Sequence, residues 1–394
     1  MNRQKGYFPT LDGWRAVSVI AVVLFHSRET LFGDSSWVRQ LLYHCSMGVD
    51  VFFVISGFLI CGQLLREDEY DGTISLSRFY VRRCFRILPA YYAYLVTICI
   101  LSAFSVLPSN RVDLPSCLLF YRNFMPLGGD VNGGVYTAHF WSLAIEEQFY
   151  FFWPVLLLLL KPRQAAKFAL LTATALYGWK VMAGHSVWVT TLFPPGLNLL
   201  SRADAILWGC VGAFYFPAIQ RWIMRVRYAQ LWLPIAVIVP LTIVSHIPEL
   251  VSLLSMLLAA LVLSTVLQPN SLLGRALECR PLRWIGTVSY SIYLWQELFL
   301  ARPNFATSSS LFRFLQQPPW SFLAILACAC ASRYLVELPM THFGRRLHTL
   351  PRPSIRALPS VLPVAGGQSL PFVSVTGPHK ASAAKGKDMG RIAS

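Results

Sequence analysis

Charge is what this sequence has least of. Asp, Glu, Lys and Arg make up only 13% of its 394 residues, roughly half the ~25% of a soluble domain, which excludes an ordinary water-soluble fold. Acidic side chains are scarcer still, 18 against 34 basic ones. None of the nine cysteines forms a CxxC pair, and Cys328 and Cys330 share one apolar stretch. Neither a disulfide framework nor a zinc site is implied, and no metal is expected. The apolar run that follows Arg3 and Lys5 lacks a small-residue cleavage site, so it reads as a retained first span. No internal repeat of transporter size is evident.

What is there is apolar. Hydrophobic residues reach 55%, with 26 Phe and 12 Trp, and the mean hydropathy is +0.51. The fold class expected is an all-α polytopic membrane protein. About ten segments are long enough to cross ~30 Å of hydrocarbon. They lie near 14–32, 47–65, 87–107, 140–160, 165–183, 203–219, 231–246, 250–267, 284–300 and 320–338. From about Leu350 the composition turns to Pro, Ser, Gly, Ala and Lys, too polar to bury a core. A membrane domain over 1–349 and a disordered cytoplasmic tail over 350–394 are therefore expected. With the N-terminus inside, the inner connections hold about twice the Lys and Arg of the outer ones, as the positive-inside rule requires. Both termini then face the cytoplasm of a bacterial inner membrane. The net charge of +16 follows from that topology, so no nucleic-acid partner is implied.

Ionisable groups inside spans cost a few kcal/mol each on insertion scales and need an account. One set faces the cytoplasm: Arg15; Arg82, Arg83 and Arg86 in "SRFYVRRCFRILP"; and Arg333 with Glu337. The other faces outward: His26, Asp50, His139, Glu146, Glu147, Arg202, Asp204, Gln296 and Glu297. Arg15 and His26 lie eleven residues apart on one helical stripe, separated by ~16 Å along the axis. Three arginines within five residues exceed what anchoring needs, and planar guanidinium forks suit phosphate. His139 and Glu146 are seven apart and share a face, whereas Glu146 and Glu147 point about 100° apart. A histidine beside carboxylates at one membrane depth can handle protons, although such carboxylates also fix helix packing.

These residues also carry a resemblance. In order, "LDGWRAVSVIAVVLFH", "GVDVFFVISGFLI", "RFYVRRCFRILP", "FWSLAIEEQFYFFWP", "RADAILWG", "IGTVSYSIYLWQ" and "YLVELP" are similar to motifs of the membrane-bound acyltransferase-3 family. Its members O-acylate glycans and related acceptors using acyl-CoA. The resemblance implies an integral membrane O-acyltransferase with no permanently bound cofactor and acyl-CoA, most simply acetyl-CoA, as co-substrate. The expected acceptor is a hydroxyl of a cell-surface or secreted glycan or a lipid-linked saccharide. A small molecule such as a macrolide is the alternative acceptor, and a glycan or anion transporter is the alternative class.

The family's motif histidine falls on His26 and its paired arginine on Arg15. The cytoplasmic arginine pair falls on Arg83 and Arg86, with Arg82 beside it, and the acidic motif residue falls on Glu146 or Glu147, Glu146 being preferred. Arg15, Arg82, Arg83 and Arg86 are thus expected to hold the CoA end. His26 is expected to deprotonate the acceptor or to carry the acyl group, with Asp50 or Glu146 orienting its ring. His139, Trp141, Arg202, Asp204 and Gln296 are expected to line the acceptor side. Many members have histidine where this chain has Gln296, so a second essential histidine there is not expected. No hydrolase-like domain follows the last span, which implies the short, single-domain form.

Overall fold

In the computed structural model the described residues are 7–32, 38, 42–107, 114–125, 134–185, 198–225, 232, 234–236, 248–300 and 309–347. Among them the secondary structure is helical throughout, with no strand. The long helices are α1 (Pro9–Phe32), α2 (Gly48–Asp71), α3 (Leu76–Ala103), α4 (Phe140–Leu159), α5 (Pro162–His185), α6 (Asn198–Phe214), α7 (Phe216–Arg225), α8 (Pro248–Leu267), α9 (Arg280–Leu300) and α10 (Trp320–Ala331). After α10 the chain passes through a π-helical segment, Ser332–Glu337, into α11 (Leu338–Arg346). The stretches His44–Asp71, Leu76–Ala103, Val135–Leu159 and Trp320–Arg346 are each long and apolar enough to cross a membrane. This architecture fits a polytopic membrane protein. The span expected at 231–246 lies, but for four residues, outside the described residues, and so does the tail expected over 350–394.

Helix ends differ from the hydropathy reading where charge misled it. α3 starts at Leu76 rather than near 87, because Ser75 caps it by accepting from the Arg78 amide. Arg82, Arg83 and Arg86, expected at a helix entrance, therefore sit within α3. α2 runs on to Asp71, where Gly72 takes a left-handed φ of 72° and its amide closes on the Asp68 carbonyl. That conformation favours glycine. The segment expected as one span over 203–219 is broken at Tyr215 into α6 and α7. Pro217 then occupies the first turn of α7, where a missing N–H costs nothing.

Two glycine-mediated contacts set the helix arrangement. A Cβ on Gly57 of α2 would come within 1.9 Å of the Ile206 carbonyl oxygen on α6, and one on Gly209 of α6 would meet the Val54 carbonyl at 2.2 Å. The two backbones touch, as small residues allow between membrane helices. On α9, a Cβ at Gly286 would lie 1.9 Å from the Asp12 carbonyl of α1. Tyr7 and Arg283 meet below this contact, and His26 and Glu297 meet above it. α1 and α9 therefore run parallel.

Candidate active site

The α1–α9 pair forms one wall of a cavity of 480 Å³. α2, α3, α4, the π segment and α11 supply the rest. Arg15, Arg83, Arg86, Arg333 and Arg345 line it, together with Asp12, Glu146, Glu147 and Glu337. Arg86, His342 and Arg345 are exposed at its mouth, and Arg15, Arg83 and Arg333 lie half-buried behind them.

Several of these charges are already matched. Arg15 pairs with Asp12 at 3.8 Å. Arg333 pairs with Glu337 at 2.9 Å, and Glu337 also accepts from the Ser291 hydroxyl. Glu146 accepts from the hydroxyls of Ser56 and Tyr150. Arg83 lies over the Tyr150 ring at 5.1 Å. Among the described residues, however, Arg83, Arg86 and Arg345 make no ion pair. Three guanidinium groups without carboxylate partners in one cavity suit a multiply anionic ligand.

The far end of the cavity is closed by a polar layer. Tyr293 shares a hydrogen bond with Ser142 at 2.6 Å and donates to the His139 carbonyl at 2.8 Å. Phe52 packs edge-on against the Tyr293 ring, 6.3 Å away. Glu297 stands four residues, one helical turn or ~6 Å, further along α9. There its Oε2 faces His26 Nε2 at 3.5 Å, while His26 Nδ1 lies 3.0 Å from the Val22 carbonyl. The His26 side chain is 23% exposed. The molecule thus offers an arginine-mouthed cavity from one end and a partly open histidine near the other.

The structure sorts the expected site residues into separate places. Arg15, Arg83, Arg86 and Glu146 share the cavity. Arg82 does not: it points to Glu67, 3.1 Å away, on the neighbouring helix face. Neither carboxylate expected beside His26 is its contact. Asp50 pairs with Arg202, which also lies 5.9 Å from the Trp141 ring, and Glu146 is held by Ser56 and Tyr150. The carboxylate against His26 is Glu297. Asp204 pairs with Lys180 at 2.7 Å. His139 is buried between Phe140, Tyr94 and Tyr293, and Gln296 is fully buried on α9. Glu147, expected to point away from Glu146, lines the cavity as well.

Sequence reasoning named Glu297, Arg333 and Glu337 among the charges inside spans without giving them a role, and passed over Arg345 and Tyr293 as site residues. The π segment that carries Arg333 and Glu337 left no sequence signal, although such insertions concentrate at functional sites.

Comparison with known proteins identifies the family of the chain. The acyltransferase domain of the acyltransferase-3 family matches residues 8–337. A Listeria monocytogenes protein, peptidoglycan O-acetyltransferase OatA, is 32% identical over 324 residues, covering 73% of this chain and 49% of the relative. YrhL of Bacillus subtilis, provisionally named for the same activity, is 30% identical over 323 residues, covering 73% and 48%. A Staphylococcus aureus protein provisionally named an O-acetyltransferase is 28% identical over 343 residues, covering 75% and 52%. The chain spans about half the length of these curated relatives. No solved structure matches it. With the family's domain running from the start of α1 through the π segment, the chain belongs to the acyltransferase-3 family.

Proposed function

We propose that the protein moves an acetyl group from acetyl-CoA, bound in the arginine-mouthed cavity, to a hydroxyl of a cell-surface glycan that approaches from the His26 side. The observation that carries this reading is the set of three arginines, Arg83, Arg86 and Arg345, left without carboxylate partners in the cavity. CoA bears three phosphate groups, and charge-assisted guanidinium–phosphate contacts are the strong kind. The pantetheine arm would then run along α9 toward Tyr293, with the thioester at its tip. The relatives named for peptidoglycan O-acetylation make a polymer of the cell wall the first acceptor to try.

In the step itself the acceptor oxygen attacks the thioester carbonyl carbon while its proton passes to His26 Nε2. The carbon–sulfur bond then breaks, and the departing thiolate takes the proton, leaving an ester and free CoA thiol. His26 could instead carry the acetyl group covalently between donor and acceptor. In that route the same thiol appears before the acceptor is needed. The arginine mouth would face the cytoplasm, where acyl-CoA is made, with both termini on that side of the inner membrane.

Purified protein in nanodiscs, given labelled acetyl-CoA and a muropeptide acceptor, tests the reading. Acceptor-dependent release of CoA thiol and labelled ester is expected. Thioester cleavage that ignores every glycan offered, or none at all, would overturn it. Mass spectrometry of envelope glycans from cells with and without the gene, showing a shift of one acetyl per repeat, would identify the natural acceptor.

A further inference from the structure

The contact between His26 and Glu297 contains more than a pairing. A backbone carbonyl can only accept, so the 3.0 Å contact between His26 Nδ1 and the Val22 carbonyl requires the hydrogen on Nδ1. In the neutral ring Nε2 then carries a bare lone pair. That lone pair faces Glu297 Oε2 at 3.5 Å, and the carboxylate oxygen is buried with no hydrogen-bond partner. Two electron-rich atoms do not settle against each other in a buried site without a proton between them.

We infer that His26 and Glu297 form one proton-holding pair, in which the Val22 carbonyl fixes the ring's tautomer and Glu297 is the positioning residue that sets when Nε2 becomes free. The inference rests on His26 being the proton-handling group of the proposed reaction. At rest the pair holds one shared proton, as imidazolium with carboxylate or imidazole with carboxylic acid. In that form Nε2 is occupied and cannot take the acceptor's proton. Once the shared proton leaves, the lone pair and the carboxylate repel. A separation already at 3.5 Å, beyond a full hydrogen bond, can then open for a hydroxyl that donates to Nε2.

The other charged and titratable groups around His26 are already accounted for. His139, before α4, is near enough to feel its charge. Arg28 on α1 lies over Phe25 at 4.1 Å. His44 sits beside Tyr43, whose ring packs on Phe25. Asp50 on α2 is taken by Arg202. Glu297 is therefore the one carboxylate in contact with the ring among the described residues.

The sign of the effect follows. A carboxylate next to imidazole favours the protonated ring. Glu297→Gln removes that charge and should move the His26 midpoint to lower pH. Histidine-selective NMR of labelled protein, with His26 assigned by the signal lost in His26→Gln, reads this without any need for activity. The neutral wild-type ring should show the Nδ1–H tautomer. The midpoint should drop in Glu297→Gln and largely recover in Glu297→Asp. An unmoved midpoint in folded Glu297→Gln, or a neutral wild-type ring carrying its hydrogen on Nε2, would overturn the pair.

Acetyl-transfer rates against pH separate this from the reading beneath it. The acid limb in Glu297→Gln should move to lower pH together with the NMR midpoint. If the midpoint moves but His26→Gln still transfers acetyl normally, the pair stands as a titrating unit and the role of His26 in transfer falls. If His26→Gln is inactive while the acid limb of Glu297→Gln stays where wild type has it, Glu297 does not position the base.

Discussion

Gly286 on α9 lies so close to Asp12 on α1 that a methyl group in its place would sit 1.9 Å from the Asp12 carbonyl oxygen. The obstacle is backbone, which cannot swing aside as a side chain would. This contact sets the spacing of the two parallel helices that bear His26 and Glu297. Gly286→Ala should cost more than the ~1–3 kcal/mol usual for overpacking. Thermal unfolding in detergent should show a lower transition, and acetyl transfer should fall with it. A variant as stable as wild type would mean that α1 and α9 do not meet through bare backbone.

The arginines make a paired test, because adjacent positions face different surroundings. Arg83→Ala or Arg86→Ala should raise the KM for acetyl-CoA roughly ten- to a hundredfold, from loss of a charge-assisted contact of about 1.5–3 kcal/mol. Arg82→Ala, which breaks only the contact with Glu67, should leave that KM nearly unchanged, because Arg82 does not line the cavity. Steady-state kinetics on the three purified variants decides it. Equal effects at all three positions would remove the cavity arginines from the donor site.

For His26→Gln the expected result is an inserted, stable protein with transfer reduced at least ~10²-fold, the usual contribution of a positioned base. His139→Gln should be milder, because the ring of His139 stays behind the Tyr293 layer. Here the protein's level by immunoblot is read alongside the rate. Normal transfer by His26→Gln would end the assignment.

Asp50 and Arg202 give a prediction of the opposite kind. Asp50 is almost fully buried and Arg202 is its ion-pair partner. Arg202→Ala strands a buried carboxylate and should cost roughly 3 kcal/mol or more. The double variant Asp50→Asn, Arg202→Gln removes both charges and should regain most of that stability while keeping acetyl transfer. Thermal unfolding and rate measurements on both variants test this. Loss of transfer in a stable double variant would make Asp50 a participant in the chemistry.

The proposed orientation can be read with cysteines the chain already has. Cys84, next to Arg83 on α3, and Cys279, just before α9, are both exposed. In single-cysteine variants that keep one or the other, a membrane-impermeant thiol reagent should label inside-out vesicles and spare intact cells. Labelling of either in intact cells would reverse the topology.

By itself the sequence determined the class of the molecule. Low charge, long apolar runs and an arginine–histidine stripe on the first helix follow from composition and from 3.6 residues per turn, and neither needs a partner helix. The ordered motifs carried the family. Contacts between helices distant in sequence were decided by the tertiary structure. Glu297 meets His26 because the Gly286–Asp12 contact holds α1 and α9 parallel, and no local pattern in either helix encodes that register. Arg82 and Arg83 look alike in the chain, yet one step of about 100° sends one to Glu67 and the other into the cavity. Glu146 and Glu147 differ by the same angle and still share the cavity, because it is wide enough to meet both. Arg333 and Glu337 reach it through a π segment, an irregularity that packing creates and hydropathy cannot register.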